Sequence, residues 1–275
     1  MNKSRFIILA LALLAGQALS AQEQTVRIFS HRGGRMEHDE NTLEAFQASY
    51  KAGYRGYETD IRMTSDGELV VTHDSKLDRT TDGTGAVELK TAAEIRGLNT
   101  KKGNKMLFLP ELLEFLKGQK GLYVEFELKT KPEELYPEER LHEYCDKLYK
   151  AVMEIKPDDA VFVFTSSDYR GLRYLQQKYP GVDLLAITSK PVCDETISLC
   201  RALGITRLGA TMDGTSREAV KKAHKKGLVV SLWPGKSTAD TMLGIFLGAD
   251  FLCTDIPIEV KKYLKKEQPW VNVVY

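Results

Sequence analysis

Hydrophobic and polar positions alternate along this chain with two periods that keep trading places. Short runs rich in Val, Ile, Phe, Tyr and Leu are followed by longer segments whose apolar residues recur every three or four positions. The first pattern predicts buried strands and the second amphipathic helices. Two strands open the series, at 26–31 (VRIFSH) and 57–61 (YETDI). A third short one, 69–74 (LVVTHD), follows the hairpin-like turn Thr64-Ser65-Asp66-Gly67. A helix capped by Asn41-Thr42 and ending at Gly53 lies between the first two. From Pro110 onward the alternation is regular. Strands are predicted at 122–128, 160–165, 183–188, 207–211, 228–233 and 250–254. Helices fall at 110–118, 136–155, 168–179, 194–203, 217–226, 239–247 and 257–264, several of them closed by Gly or Pro.

Counting 26–31 and 57–61 as the first two, eight strands alternate with helices. Apolar strands separated by helices imply parallel pairing, and a count of eight predicts an α/β TIM (β/α)8 barrel rather than an open sheet. The active site of such a barrel sits at the carboxyl ends of its strands. Residues 76–104 are rich in Thr, Asp, Gly and Lys, with a short helix expected near 92–96. They read as a small insertion after the second strand.

The N-terminus follows a different rule. Lys3 and Arg5 precede an apolar run over 6–15, and small residues follow around 18–21. A stable span takes about 20 apolar residues, so this is the pattern of an export signal over 1–21, leaving a single domain over 22–275. No cysteine follows the run, which argues against a lipid anchor. The mature protein is expected to be periplasmic or secreted, with no stable membrane anchor.

Charge narrows the partners. Lys and Arg number 39 against 38 Asp and Glu, so a broad nucleic-acid footprint is not expected. The lysine pairs 221–222, 225–226, 261–262 and 265–266 lie opposite Val220, Ala223, Val260 and Leu264 at helical spacing, as solvated faces do. Cys145, Cys193, Cys200 and Cys253 read as buried free thiols. On a straight helix Cys193 and Cys200 would stand about 10 Å apart, beyond disulfide reach. His38, His142 and His224 are expected at the surface.

The candidate chemistry is concentrated between 26 and 98. His31 and His73 both end predicted strands, and Glu58 and Asp60, two apart, project from one strand face. Glu125, Glu127 and Lys129 share a face of the 122–128 strand. Glu127 is nearer its carboxyl end and is the expected third acid. Glu125 is the rival, unless it forms a structural ion pair with Lys129. An all-carboxylate set selects a hard cation, Ca2+ or Mg2+, and an exported protein meets calcium readily. Two histidines can serve as base and acid near neutral pH. Arg32 and Lys129 can offset the charge of a phosphate or carboxylate.

Taken in order, His31-Arg32-Gly33, Glu40-Asn41-Thr42-Leu43-Glu44-Ala45-Phe46, Glu58-Thr59-Asp60, Thr64-Ser65-Asp66-Gly67, His73-Asp74, Arg79-Thr80-Thr81, Gly85, Pro110-Glu111-Leu112, Glu127-Leu128-Lys129, Trp233, Gly248-Ala249-Asp250 and Thr254-Asp255-Ile256-Pro257 span nearly the whole mature chain. In these the chain resembles the glycerophosphodiester phosphodiesterase family. The resemblance implies hydrolysis of a small-molecule glycerophosphodiester to glycerol 3-phosphate and an alcohol. It implies one divalent cation held by Glu58, Asp60 and Glu127 and catalytic histidines at His31 and His73; Arg32, Lys129 and Trp233 are the expected substrate contacts. The chain departs from the family pattern at Asp39, at Pro234-Gly235-Lys236 and at Glu125. An alternative on the same barrel is a lysophospholipase D or phospholipase-like enzyme, which an apolar rim on 76–104 would favour. That stretch is polar. A non-catalytic binding protein would be expected to lack a histidine or an acid of the set, and all are present.

Overall fold

The computed structural model describes residues 25–275, and the expected export signal lies outside them. Strands β1 (Val26–His31), β2 (Gly56–Met63), β3 (Leu69–Val71), β4 (Tyr123–Leu128), β5 (Val161–Ser166), β6 (Leu184–Pro191), β7 (Arg207–Thr211), β8 (Val229–Gly235), β9 (Phe251–Thr254) and β10 (Val273–Val274) form one sheet. Eight of them, β1, β2 and β4 to β9, run parallel and close into a TIM barrel where β1 meets both β9 and β2. The two-residue β10 pairs with Val26 and Arg27, the half of β1 that β2 does not reach.

Helices α1 (Leu43–Lys51), α2 (Ala92–Arg96), α3 (Leu109–Leu116), α4 (Glu138–Glu154), α5 (Tyr169–Lys178), α6 (Asp194–Leu203), α7 (Arg217–Lys225), α8 (Thr238–Leu247) and α9 (Pro257–Glu267) connect the strands. Their buried stripes, such as Leu141, Cys145, Leu148 and Val152 on α4, pack on the outer faces of the strands. Inside the barrel, Phe29 meets Tyr123 edge-on at 5.3 Å, and Tyr123 stacks on Phe251 at 4.6 Å. With Val163, Leu185 and Cys253 these rings fill the lower barrel. Arg27 and Arg207, from the amino-terminal ends of β1 and β7, lie against the Tyr123 and Phe251 rings, and His31, Asp60 and Glu127 stand toward the carboxyl ends.

Several expectations need correction. β3 pairs antiparallel to β2 across the expected hairpin turn, outside the eight strands counted for the barrel, but is shorter than expected. It stops at Val71 instead of running to His73. Thr72 still donates to the Asp60 carbonyl at 3.0 Å. The His73 carbonyl is taken instead by the Arg62 guanidinium, so His73 occupies a loop. β8 runs past Trp233 to Gly235, whose carbonyl accepts from Asp255 N at 2.8 Å. His224 is exposed and paired with Asp250, but His142 is half-buried and stacked on Tyr174, and His38 is half-buried too. All four cysteines are free, and Cys193 is only half-buried. Among the described residues, no helix is long and apolar enough to cross a membrane.

The insertion carries its own small core of Val70, Leu77, Val87, Ala92, Ile95 and Phe108. Its link to the barrel rim begins at the turn that leaves β1. Arg32, Gly33 and Gly34 all have positive φ, of 52°, 78° and 97°. A Cβ at Gly33 would stand 2.6 Å from Ala45 Cβ and 2.9 Å from the Ala45 carbonyl carbon. Only glycine lets α1 press this closely on the turn that presents His31 and Arg32. Gly33→Ala should therefore cost about 2–5 kcal/mol, combining left-handed backbone strain with overpacking. Urea unfolding measures this, and a loss below about 1 kcal/mol, the low edge of those two effects, would contradict the steric account.

Candidate active site

The register of neighbouring strands builds the site. His31 lies opposite Glu58, Glu58 opposite Glu125, and Asp60 opposite Glu127. Side chains two apart share a face, so Glu58 and Asp60 from β2 meet Glu127 from β4. One carboxylate oxygen from each of the three lies within 4.8 Å of the others. Glu125 sits one layer deeper and accepts from Tyr123 Oη at 2.5 Å. Burial pushes its carboxyl up to about 7. Lys129 pairs with Glu127 at 2.8 Å and faces Asp60 at 3.5 Å, so the alternative ion pair of Glu125 with Lys129 is not formed.

The acids differ in their partners. Burial opposes ionisation of Asp60, but Arg32 and Lys129 overcome it and hold this carboxyl well below the usual range. Arg32 Nε stands 3.1 Å from Asp60, and Asn41 Nδ2 donates to it at 2.8 Å. Burial, reinforced by the Asp60 charge, drives Glu58 the other way, well above the usual range. Oε1 of Glu58 and Oδ1 of Asp60 are buried and accept no hydrogen bond. Buried oxygens of this kind call for a partner, and an all-oxygen set fits a hard divalent cation.

Two imidazoles flank the acids in the same way. His31 Nδ1 is 2.5 Å from Asp255 Oδ1, and His73 Nδ1 is 2.6 Å from Asp74 Oδ1. Each carboxylate accepts the Nδ1 proton and leaves Nε2 open. His31 Nε2 faces Glu58 Oε2 at 3.6 Å. Burial is the main influence on His31 and lowers its pKa, favouring neutral imidazole. Both histidines line one cavity of about 650 Å³, together with Arg32, Glu58, Glu127, Lys129 and Trp233. Asp60 is fully buried behind them.

Three partners of these groups have roles that the sequence did not assign, although Asp255 already read as a residue at the carboxyl end of a strand. Asp255 orients His31 from 224 residues away and also pairs with Arg35 at 2.8 Å. Its signal was its place directly after β9, the neighbour of β1 at barrel closure. Asp74 holds His73 and is itself gripped by Arg79, whose guanidinium continues to Glu40 and so to Arg32. Arg62 is 5 % exposed and follows Asp60 on the same strand face. It donates to the carbonyls of His73, Lys129 and Lys131 and pairs with Glu88 of the insertion at 2.6 Å.

The sequence pattern of the glycerophosphoryl diester phosphodiesterase family matches residues 31–259. The chain belongs to that family. It is accordingly an enzyme, a phosphoric diester hydrolase. A glycerophosphodiester phosphodiesterase of Caldanaerobacter subterraneus is 29% identical over 246 residues, covering 87% of this chain and 98% of its own. One from Bacillus altitudinis is 26% identical over 253 residues, covering 87% and 99%. A phosphodiesterase of Oleispira antarctica, solved in complex with the product sn-glycerol-3-phosphate, shares the fold with a TM-score of 0.79. It is 21% identical, covering 88% of this chain and 98% of that one.

In this glycerophosphoryl diester phosphodiesterase, Arg62→Met leaves Glu88 buried without its cation, which should cost about 3–5 kcal/mol. Adding Glu88→Gln should recover much of that stability. Activity should stay low in the double variant, because the carbonyls of His73 and Lys129 remain untethered. Denaturant melts and turnover numbers for the two variants test this. Recovery of both stability and activity would reduce Arg62 to a structural ion-pair partner.

Proposed function

We propose that this chain is an exported, cation-dependent enzyme that hydrolyses glycerophosphodiesters to sn-glycerol 3-phosphate and an alcohol. The observation that carries the reading is the meeting of Glu58, Asp60 and Glu127 within 4.8 Å, in a site flanked by two imidazoles that are each held through Nδ1 by a carboxylate. The product bound in the Oleispira antarctica structure supports the same substrate class. The N-terminal 21 residues support export to the periplasm or the medium, which cell fractionation tests.

Glu58, Asp60 and Glu127 would hold one Ca2+ or Mg2+. When bound, such an ion withdraws charge from a phosphate oxygen and makes phosphorus a better electrophile. The remaining work belongs to the chain's own residues. Arg32 and Lys129, already seated beside the acids, offset the rest of the diester charge. His31 is kept neutral by burial, the form a base needs, and its open Nε2 takes the proton of the attacking hydroxyl or water. His73, which lines the same cavity, delivers a proton to the leaving alcohol. Asp255 and Asp74 hold the two rings in the tautomer this requires. Trp233 forms part of the cavity wall and gives the substrate an apolar surface.

Exhaustive chelation should abolish hydrolysis of glycerophosphocholine, and Ca2+ or Mg2+ should restore it. Full activity after chelation would remove the cation from the mechanism. His31→Ala and His73→Ala should each lose about 100- to 10,000-fold in turnover. A diester with a p-nitrophenol leaving group, which needs no protonation, separates the two roles. It should largely restore His73→Ala and leave His31→Ala impaired. The reverse pattern would exchange base and acid.

A further inference from the structure

Cys253 is a thiol that the hydrolytic reaction does not use, and it occupies a telling position. It pairs in register with Phe29 of β1, so it lies one layer below His31 on the neighbouring strand. Its Sγ, a ring nitrogen of His31 and a carboxylate oxygen of Glu58 lie within 4.8 Å of one another. Two further observations mark this as a ligand set. The Asp255 carboxylate accepts from His31 Nδ1, the arrangement that fixes a metal-binding histidine and leaves Nε2 free. Oε1 of Glu58, on a residue 4 % exposed, has no hydrogen-bond partner.

The donors are one nitrogen, one oxygen and one sulfur. That mixture is poorly suited to calcium or magnesium. It suits a borderline-soft ion such as Zn2+ or Cd2+, which takes three protein ligands and keeps a fourth position open. Glu58 belongs to this group and also to the group with Asp60 and Glu127. The two groups therefore compete for one carboxylate, and the first also takes the free nitrogen of His31.

We propose that His31, Glu58 and Cys253 form an inhibitory site for a thiophilic divalent cation. Binding replaces the thiol proton of Cys253, which passes to solvent, and no electron is transferred. The site itself stands on geometry, whereas the inhibition rests on the catalytic role given above to His31.

The test uses the purified enzyme with saturating Ca2+ or Mg2+. Zn2+ should inhibit glycerophosphodiester hydrolysis in the wild type. Cys253→Ser and Cys253→Ala, each compared with its own uninhibited rate, should need about 10-fold more Zn2+ or higher. In a second arm, Cd2+ is titrated into the same proteins and the ultraviolet thiolate-to-metal charge-transfer band is followed. The band should appear in the wild type and in Cys193→Ser, which lacks the more accessible thiol, and vanish in Cys253→Ser. This arm reads binding even in a protein inactive on every diester tried. Equal Zn2+ sensitivity in wild type and both Cys253 variants would overturn the inhibitory role. A band that survives Cys253→Ser and disappears with Cys193→Ser would overturn the site.

Discussion

The constraint on which the rest of the structure depends is the burial of several carboxylates in one place. Isolated buried charges are very costly, and close like charges more so. The chain answers with cations and donors drawn from separate elements. Arg32 follows β1, Lys129 follows β4, and Asn41 precedes α1, and all three meet Asp60. Of the three acids that meet at the mouth, Asp60 and Glu127 pair with Arg32 or Lys129, whereas burial and the Asp60 charge outweigh those cations at Glu58. An acid site that is complete except for one charge is organised for something that arrives from outside.

The same charge pairing spreads outward and fixes the candidate catalytic groups. Glu40 joins Arg32 to Arg79, Arg79 joins Asp74, and Asp74 holds His73. His73 therefore owes its position to the insertion as much as to the barrel. Arg62 adds the second tether, since it binds the His73 carbonyl on one side and Glu88 on the other. The small apolar core of the insertion gives these ion pairs a rigid footing. A polar loop without such a core would lose too much conformational entropy to hold an imidazole in place.

Much of this was legible in sequence because it is local. Helical periodicity located α6 at 194–203 and the short α2 at 92–96, and period-two alternation put Glu58 and Asp60 on one face. What escaped depends on neighbours distant in the chain. The composition of 69–74 does not show that strand pairing ends at Val71, because the His73 carbonyl goes to the Arg62 guanidinium. Asp255 reads as a strand-end acid until closure of the barrel sets β9 against β1. Glu125 and Glu127 share a face and a residue type. Their separate fates follow from depth, one beside Tyr123 in the aromatic layer and the other at the mouth.

Electrostatics at the mouth follows the same division between local and global. Net charge is +1, too small to steer an anion from a distance. The cavity, however, is lined by Lys131 and Lys236, and among the described residues neither is within ion-pairing distance of a carboxylate. They follow β4 and β8, which are separated by three strands in either direction round the barrel. The two ammonium groups therefore stand on opposite rims. The cations beneath them, Arg32 and Lys129, are already engaged by acids. An approaching diester meets uncompensated positive charge first and the balanced acid cluster second. This order favours entry of the anion, whereas a bare acid cluster at the surface would repel it.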